Sequence, residues 1–350
     1  MRTDDLDFEL PPELIAQVPA ADRAASRLLH YQRATGTIRH RTFAELPQLL
    51  RPGDVLVFNN TRVVPARFEL RKFTGGRIEG LFLDDLGDGT WSVLLRDLGS
   101  LRPGHTRPLV FEREPSVQAE LLERGVDGIC RIRVGSLPDA TAEAFLDRIG
   151  RMPLPPYIRR DRSGDPHDEL DRQRYQTVYA SVPGSVAAPT AGLHFTPEVL
   201  EQLDRRGVIR ATVTLHVGIG TFKPVTAASL EQHTMHVEQY TLPATAAETI
   251  NAAKREGRRV IAVGTTTARV LESQPEGELA PISGETGIFI YPPYRWKHMQ
   301  GLITNFHLPR STLIALVAAW VGLPAQRRIY QEAIQQRYRF FSYGDSSFLE

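Results

Sequence analysis

Cysteine is almost missing from this chain: Cys130 is the only one in 350 residues. That excludes an intramolecular disulfide and any zinc site built from paired thiolates, and it fits a reducing compartment. Lysine is scarce as well, with Lys72, Lys223, Lys254 and Lys297 set against 38 arginines. Guanidinium groups suit bidentate phosphate contacts, although a biased genomic composition produces the same skew. The formal net charge is only +1, so no global cationic field marks a nucleic-acid protein, and any RNA contact needs a local patch. Long apolar runs are absent too. The most apolar one, Leu313 to Val321, has nine residues, short of the roughly 17 to 25 that span a bilayer, and reads as a buried helix. The N-terminus, MRTDDLDFELPP, is acidic from its fourth residue and lacks an apolar core, which excludes a secretory signal. Ordinary apolar and charged fractions, 41% and 24%, point to a compact soluble protein, expected in the cytoplasm as a monomer. The length favours two domains.

Residues 184 to 223 concentrate the chemistry. Thr196 reads as an N-cap, Pro197 as the first helical residue and Gly207 as the stop, with Val199, Leu200 and Leu203 on the inward face. The segment before this helix, including His194, is therefore held against its N-terminus. After Gly207 the period becomes two: Ile209, Ala211, Val213, Leu215 and Val217 fall on one side, Arg210, Thr212, Thr214 and His216 on the other. His216 is expected to project from that strand's end toward a cleft, beside Gly218 and Gly220, whose missing side chains permit a sharp turn or a close ligand. A single histidine is as often a hydrogen-bonded structural residue as a reactive one. Two at adjacent element ends favour function.

The rest of the chain supports a mixed α/β domain with an insertion. Residues 1–67 carry a helix after Pro12, a hairpin across Thr35 and Gly36, a short helix near Phe43 to Leu50 and the strand Val55 to Phe58. From 68 to 150 the texture changes to short β runs (Ile78 to Leu83, Trp91 to Leu95, Leu109 to Phe111, Val117 to Leu122, Ile129 to Val134), punctuated by Gly75-Gly76, Gly87-Asp88-Gly89, Pro103-Gly104 and Asp127-Gly128. This predicts a small antiparallel β-barrel inserted into a discontinuous large domain of residues 1–67 and 151–350. The connector MPLPPYIRRDRSGD brings Tyr157, Arg159, Arg160 and Arg162 together, a pattern that holds phosphate and stacks a base, or serves as a solvated hinge. Arg62 follows the polar Asn59-Asn60-Thr61 group at a strand end.

Further on, Thr245 and Glu248 read as a capping box for a helix ending at Gly257, and the apolar run Val260 to Val263 enters Gly264, Thr265, Thr266 and Thr267 before a further helix. Such a loop suits a carboxylate or phosphate but lacks the P-loop pattern. Leu302-Ile303 leads likewise into Thr304, Asn305, Phe306, His307 and Leu308, then a helix capped by Ser311. Ligands gather beyond the carboxyl ends of strands in open α/β sheets, so HVGIGTF, VGTTTAR and TNFHLP are expected at one cleft. His233, His236 and Glu238 make only an HxxH pair, and no metal site is expected.

GSVAAPTAGLHFTPEVLEQL, TLHVGIGTFKPV, HTMHVE, VGTTTARVLES, LITNFHLPRSTL and YRFFSYGD, with PGDVLVFNNTRVVPAR and MPLPPYIRR earlier in the chain, resemble in order the segments of the S-adenosylmethionine:tRNA ribosyltransferase-isomerase family of queuosine biosynthesis. The resemblance covers most of the chain outside 68–150, and it implies a six-stranded β-barrel for the smaller domain. It also implies transfer and isomerisation of the ribosyl part of S-adenosylmethionine onto 7-aminomethyl-7-deazaguanine at the tRNA wobble position, yielding epoxyqueuosine-tRNA, adenine and methionine. S-adenosylmethionine is then a consumed substrate, and no cofactor is expected. The groups that would transfer protons are His194, His216, His307 and Asp345. Thr190, Gly192, Gly218, Gly220, Thr221, Gly264, Thr265, Thr266, Arg269 and Asn305 would bind substrate, and Arg62, Tyr157, Arg159 and Arg160 would bind tRNA. A lyase or transferase acting on small adenosyl compounds would use the same cleft without the arginine connector. A noncatalytic RNA-binding protein would account for the barrel but not for histidines on several loops.

Overall fold

The computed structural model describes residues 1–99, 107–125, 128–161, 165–218 and 225–350. The chain forms two compact units, one of Met1–Arg62, Pro155–Arg160 and Arg174–Glu350, the other of Val63–Leu154 and Asp161–Gln173. The first opens with the hairpin β1 (Arg27–Gln32) and β2 (Thr37–Thr42), then α1 (Leu46–Leu49), β3 (Val55–Asn59) and β4 (Thr61–Val63), where the chain passes to the second unit. That unit holds β5 (Arg67–Lys72), β6 (Arg77–Asp85), β7 (Thr90–Arg96), β8 (Arg107–Phe111), β9 (Glu114–Arg124), β10 (Ile129–Val134) and α2 (Ala142–Ile149), with α3 (Asp168–Arg174) on the way back. The return adds β11 (Val182–Ser185), α4 (Pro197–Arg205), β12 (Ile209–Leu215), β13 (Glu238–Leu242), α5 (Ala244–Arg255), β14 (Val260–Val263), α6 (Thr265–Glu272), β15 (Ile282–Thr286), β16 (Gly301–Asn305), α7 (Thr312–Val321), α8 (Leu323–Gln335) and β17 (Ser346–Leu349).

A nine-stranded mixed sheet, in the order β15-β13-β12-β3-β14-β16-β17-β1-β2, organises the first unit. Its centre, β12-β3-β14-β16, is parallel. β3, β14 and β16 are buried on both faces and so lack the alternation that β12, exposed at Ile209, Arg210 and Thr212, retains. Alternate residues feed two cores. Val55, Val57, Val260, Ala262 and Leu302 pack with Ile250, Val270, Ile314 and Ile329 of α5 to α8, whereas Leu56, Phe58, Ile261, Val263 and Ile303 pack with Val199, Leu200 and Leu203 of α4 and Leu46 of α1. The helix ends follow local chemistry. Thr196 caps α4 by accepting from the Val199 N–H, and Ser311 caps α7 by accepting from that of Ile314. The box expected at Thr245 and Glu248 does not form, because α5 begins two residues earlier, at Ala244, which makes Pro243 the N-cap and leaves the helix without a side-chain cap. Pro12 begins only a 3-10 turn.

The second unit closes six antiparallel strands into a barrel, β10-β7-β6-β5-β8-β9. The first strand, RFELRK, escapes the sequence pattern because four of its six residues are charged and only Phe68 and Leu70 point inward. Trp91, Phe111 and Phe145 of α2 form the aromatic centre, with Phe145 5.2 Å from Phe111. A side chain at Gly80 would lie 2.3 Å from the Phe68 ring, so this position must stay bare. The turns expected at Pro103-Gly104 and at Asp127 lie outside the described residues. No helix among the described residues is long and apolar enough to cross a membrane.

Candidate active site

The carboxyl ends of β3, β14 and β16 bring polar loops to one edge of the sheet. Two adjoining cavities lie there, each with roughly 390 Å³ of empty space including the part open to solvent. One is lined by Tyr157, Phe306, Leu308, Ser311, Phe341 and Ser342, the other by Ala188, Val217, Gly264, Thr265, Thr266 and Thr304; Thr190, Asn305, His307 and Leu313 line both. Among the described residues no charged side chain lines either lobe. The walls consist of hydroxyls, one amide, one imidazole and apolar panels.

His307 is the histidine that meets the cavities. Its Nε2 shares a 2.8 Å hydrogen bond with the Thr304 hydroxyl, and Nδ1 has no partner among the described residues. Burial drives its pKa from 6.5 to about 3, so the ring is neutral. His194 is equally buried, but both its nitrogens are engaged: Nε2 accepts from the Asn305 amide at 3.1 Å, and Nδ1 faces the Ser26 hydroxyl at 2.7 Å. Burial first, then the positive charges of Arg339 and Arg23, hold it down to about 3 as well. Its ring stacks on Phe43 at 5.1 Å.

His216 departs from expectation. Val217, not His216, lines the cavity. Neighbouring residues of extended backbone point to opposite sides, so Val217, the last of the apolar row, reaches the ligand space while His216 turns toward β4 and β11. There its Nδ1 meets the Thr61 hydroxyl at 3.0 Å, and its ring covers Gly184, where a Cβ would lie 3.0 Å from it. Burial lowers its pKa. Asp345 also stands away from the cavity lining: its carboxylate accepts the backbone N–H groups of Arg27 and Arg339 at 2.9 and 2.8 Å, clasping the start of β1 to the C-terminal loop. Burial pushes its pKa up despite these donors.

The substrate set divides similarly. Thr190, Gly264, Thr265, Thr266 and Asn305 line the lobes. Gly264, at φ +92°, opens α6 toward the cavity, and the Thr266 hydroxyl accepts from Asn59 at 3.3 Å. Gly192 faces the other way: a Cβ there would sit 2.0 Å from the Tyr179 hydroxyl oxygen. Gly218 donates its N–H to Glu238, which forms a buried ion pair with Arg269. Glu238, noticed in the sequence only beside a weak histidine pair, is thus the counterion of Arg269. Its signal was unreadable because Arg269 lies 31 residues away. Gly220 and Thr221 lie outside the described residues, as do Arg162 and Lys223.

Of the residues assigned to tRNA, Tyr157 forms cavity wall, its hydroxyl 2.6 Å from that of Ser342 and its ring 4.6 Å from Phe341. Arg159 is exposed, whereas Arg160 donates to the carbonyls of Gln17 and Arg159. Arg62 is half-buried in β4.

Comparison with known proteins gives a consistent result. Residues 3–349 match the family described as queuosine biosynthesis protein. An S-adenosylmethionine:tRNA ribosyltransferase-isomerase from Geobacter metallireducens is 49% identical over 356 residues, covering 100% of both chains. One from Desulfitobacterium hafniense is 49% identical over 350 residues and 99% of each. The crystal structure of S-adenosylmethionine tRNA ribosyltransferase from Thermotoga maritima superposes with a TM-score of 0.55 at 35% identity, over 99% of this chain and 100% of that one.

Proposed function

Because the chain belongs to the queuosine biosynthesis protein family and is an enzyme of the S-adenosylmethionine:tRNA ribosyltransferase-isomerase type, we propose that it moves and isomerises the ribosyl group of S-adenosylmethionine onto 7-aminomethyl-7-deazaguanine at the wobble position of tRNA. The products are epoxyqueuosine-tRNA, adenine and methionine. On this reading S-adenosylmethionine is consumed and no separate cofactor takes part. The observation that carries the reading beyond family membership is the pair of unlike lobes meeting at one wall. The lobe of Tyr157, Phe306, Leu308 and Phe341 is apolar and aromatic, suited to the adenine ring. The other presents the N-terminus of α6 with Gly264, Thr265 and Thr266, suited to the methionine carboxylate. The ribosyl group, which joins these ends, then lies at the shared wall beside His307.

His307 is the proton-transfer group of this scheme, since it is neutral and its Nδ1 is unengaged among the described residues. His194 and Asp345 hold the wall through their hydrogen bonds. Arg159 supplies an RNA phosphate contact. Incubation with tRNA bearing the aminomethyl base and ribosyl-labelled S-adenosylmethionine tests the reaction: adenine release with label on RNA is expected. Adenine released without labelled RNA would make the protein an adenosyl lyase, and RNA bound without adenine release would make it a binding protein.

A further inference from the structure

Asn305 carries a buried acceptor that no described residue uses. The residue is 2% exposed and ends β16 at the wall common to both lobes. Its amide nitrogen faces three acceptors: His194 Nε2 at 3.1 Å, the Phe341 carbonyl at 3.2 Å and the Asp345 carbonyl at 3.4 Å. Carbonyl oxygens cannot donate, so the amide cannot be flipped, and its Oδ1 must face the other way. That oxygen is buried and has no hydrogen-bond partner among the described residues. An unmet acceptor at such depth costs free energy unless a ligand satisfies it.

The rest of the network follows from this orientation. Because Asn305 donates to Nε2, the proton of His194 resides on Nδ1 and is donated to the Ser26 hydroxyl, which in turn donates to the Arg23 carbonyl at 2.9 Å. One direction of donation runs from the cavity wall to the backbone, and it requires a neutral His194. Burial, with the charges of Arg339 and Arg23 beside the ring, enforces that state. An ammonium group would need a carboxylate at this wall, and among the described residues neither lobe has one. A neutral acceptor in a neutral wall fits a neutral hydroxyl donor.

We propose that Asn305 Oδ1 is a ribosyl-hydroxyl subsite, aimed by the Ser26–His194 pair, which makes His194 a positioning residue. The proposal rests on the function above, and the test separates the two. Binding of S-adenosylmethionine and of its 2′-deoxy and 3′-deoxy analogues is measured by calorimetry, with and without tRNA. One analogue is expected to bind wild type roughly 5- to 100-fold more weakly than the parent, the range for stranding a buried acceptor. That penalty should vanish in Asn305→Ala and shrink in His194→Phe, which keeps the stack on Phe43. A His194 that only fills space would leave the penalty intact in the folded fraction and lower the melting temperature alone. Equal binding of both analogues to wild type overturns the subsite even if Asn305→Ala fails to fold, while S-adenosylmethionine binding and turnover leave the parent function standing. An undiminished penalty in Asn305→Ala also overturns it. Failure of S-adenosylmethionine itself to bind overturns the parent reading and the subsite with it.

Discussion

Acidification from pH 7 to pH 5 should destabilise this protein through His194 and His307, and the loss can be worked out from their burial. A histidine whose folded-state pKa is depressed binds fewer protons folded than unfolded, so its stabilising contribution is complete above the unfolded value of 6.5 and is lost as pH falls toward the folded value of about 3. Within that window each pH unit costs about 1.4 kcal/mol per group. At pH 5 each histidine therefore removes about 2 kcal/mol, and the two together about 4 kcal/mol, a large share of a net stability of about 5 to 15 kcal/mol. The half-buried His216, depressed for the same reason, adds in the same sense. Asp345 works in the opposite one, since burial raises its pKa and the folded state holds its proton more firmly. The difference between wild type and a variant, and not the absolute slope, isolates one histidine. Urea unfolding at the two pH values in wild type and His307→Gln, which keeps a partner for Thr304, is the assay. The variant should lose about 2 kcal/mol less than wild type over the interval. An identical loss in both would refute the claim that His307 is buried and neutral.

Gly192→Ala should cost about 1 to 3 kcal/mol through overpacking against the Tyr179 hydroxyl; an unchanged urea midpoint would mean the wall yields freely. Thr265→Val with Thr266→Val should raise the Michaelis constant for S-adenosylmethionine more than it lowers turnover, and the opposite split in steady-state kinetics would place this loop in the chemistry. Arg159→Ala should weaken tRNA binding and flatten its salt dependence, whereas Arg160→Ala should mainly lower the melting temperature, because its guanidinium is spent on two carbonyls; equal salt slopes for both variants would contradict this division. His307→Asn should cut single-turnover adenine release by about 10² to 10⁴ with S-adenosylmethionine still bound, while His216→Asn should remain within about tenfold of wild type by the same general acid–base scale; the reverse ranking would move the proton-transfer role to His216.

Local signals were the legible ones. Caps at Thr196 and Ser311, the β1–β2 hairpin and the loops after β14 and β16 follow from a few neighbouring residues, and the parallel sheet brings residues of all three expected segments to one cavity: Val217 of the first, Gly264, Thr265 and Thr266 of the second, Thr304, Asn305 and His307 of the third. What stayed hidden depends on distant partners. Two of the four residues of SSFL are serines and no apolar period marks a strand, yet β17 is buried between β16 and β1 because both neighbours supply its ladder. The unmet Oδ1 of Asn305 exists only because carbonyls 36 and 40 residues away fix the amide. The direction of His216 was misread for a simpler reason. Alternation identifies the two sides of a strand, but not which one a ligand meets, and here Val217, just past β12 on the apolar side, lines the cavity.

The neutrality of the wall has a mechanistic consequence. S-adenosylmethionine carries a fixed positive charge on sulfur, and a carboxylate beside it would stabilise that charge in the ground state as well as in the transition state, adding affinity without rate. The described cavity lining contains hydroxyls, the Asn305 amide and the His307 ring, and the nearby charges are spent elsewhere: Glu238 on Arg269, Asp345 on two backbone N–H groups. Dipoles of this kind respond to where charge moves and hold no net charge of their own. They can favour a ribosyl group whose charge is leaving sulfur over one where it remains, which a carboxylate at the same wall would oppose.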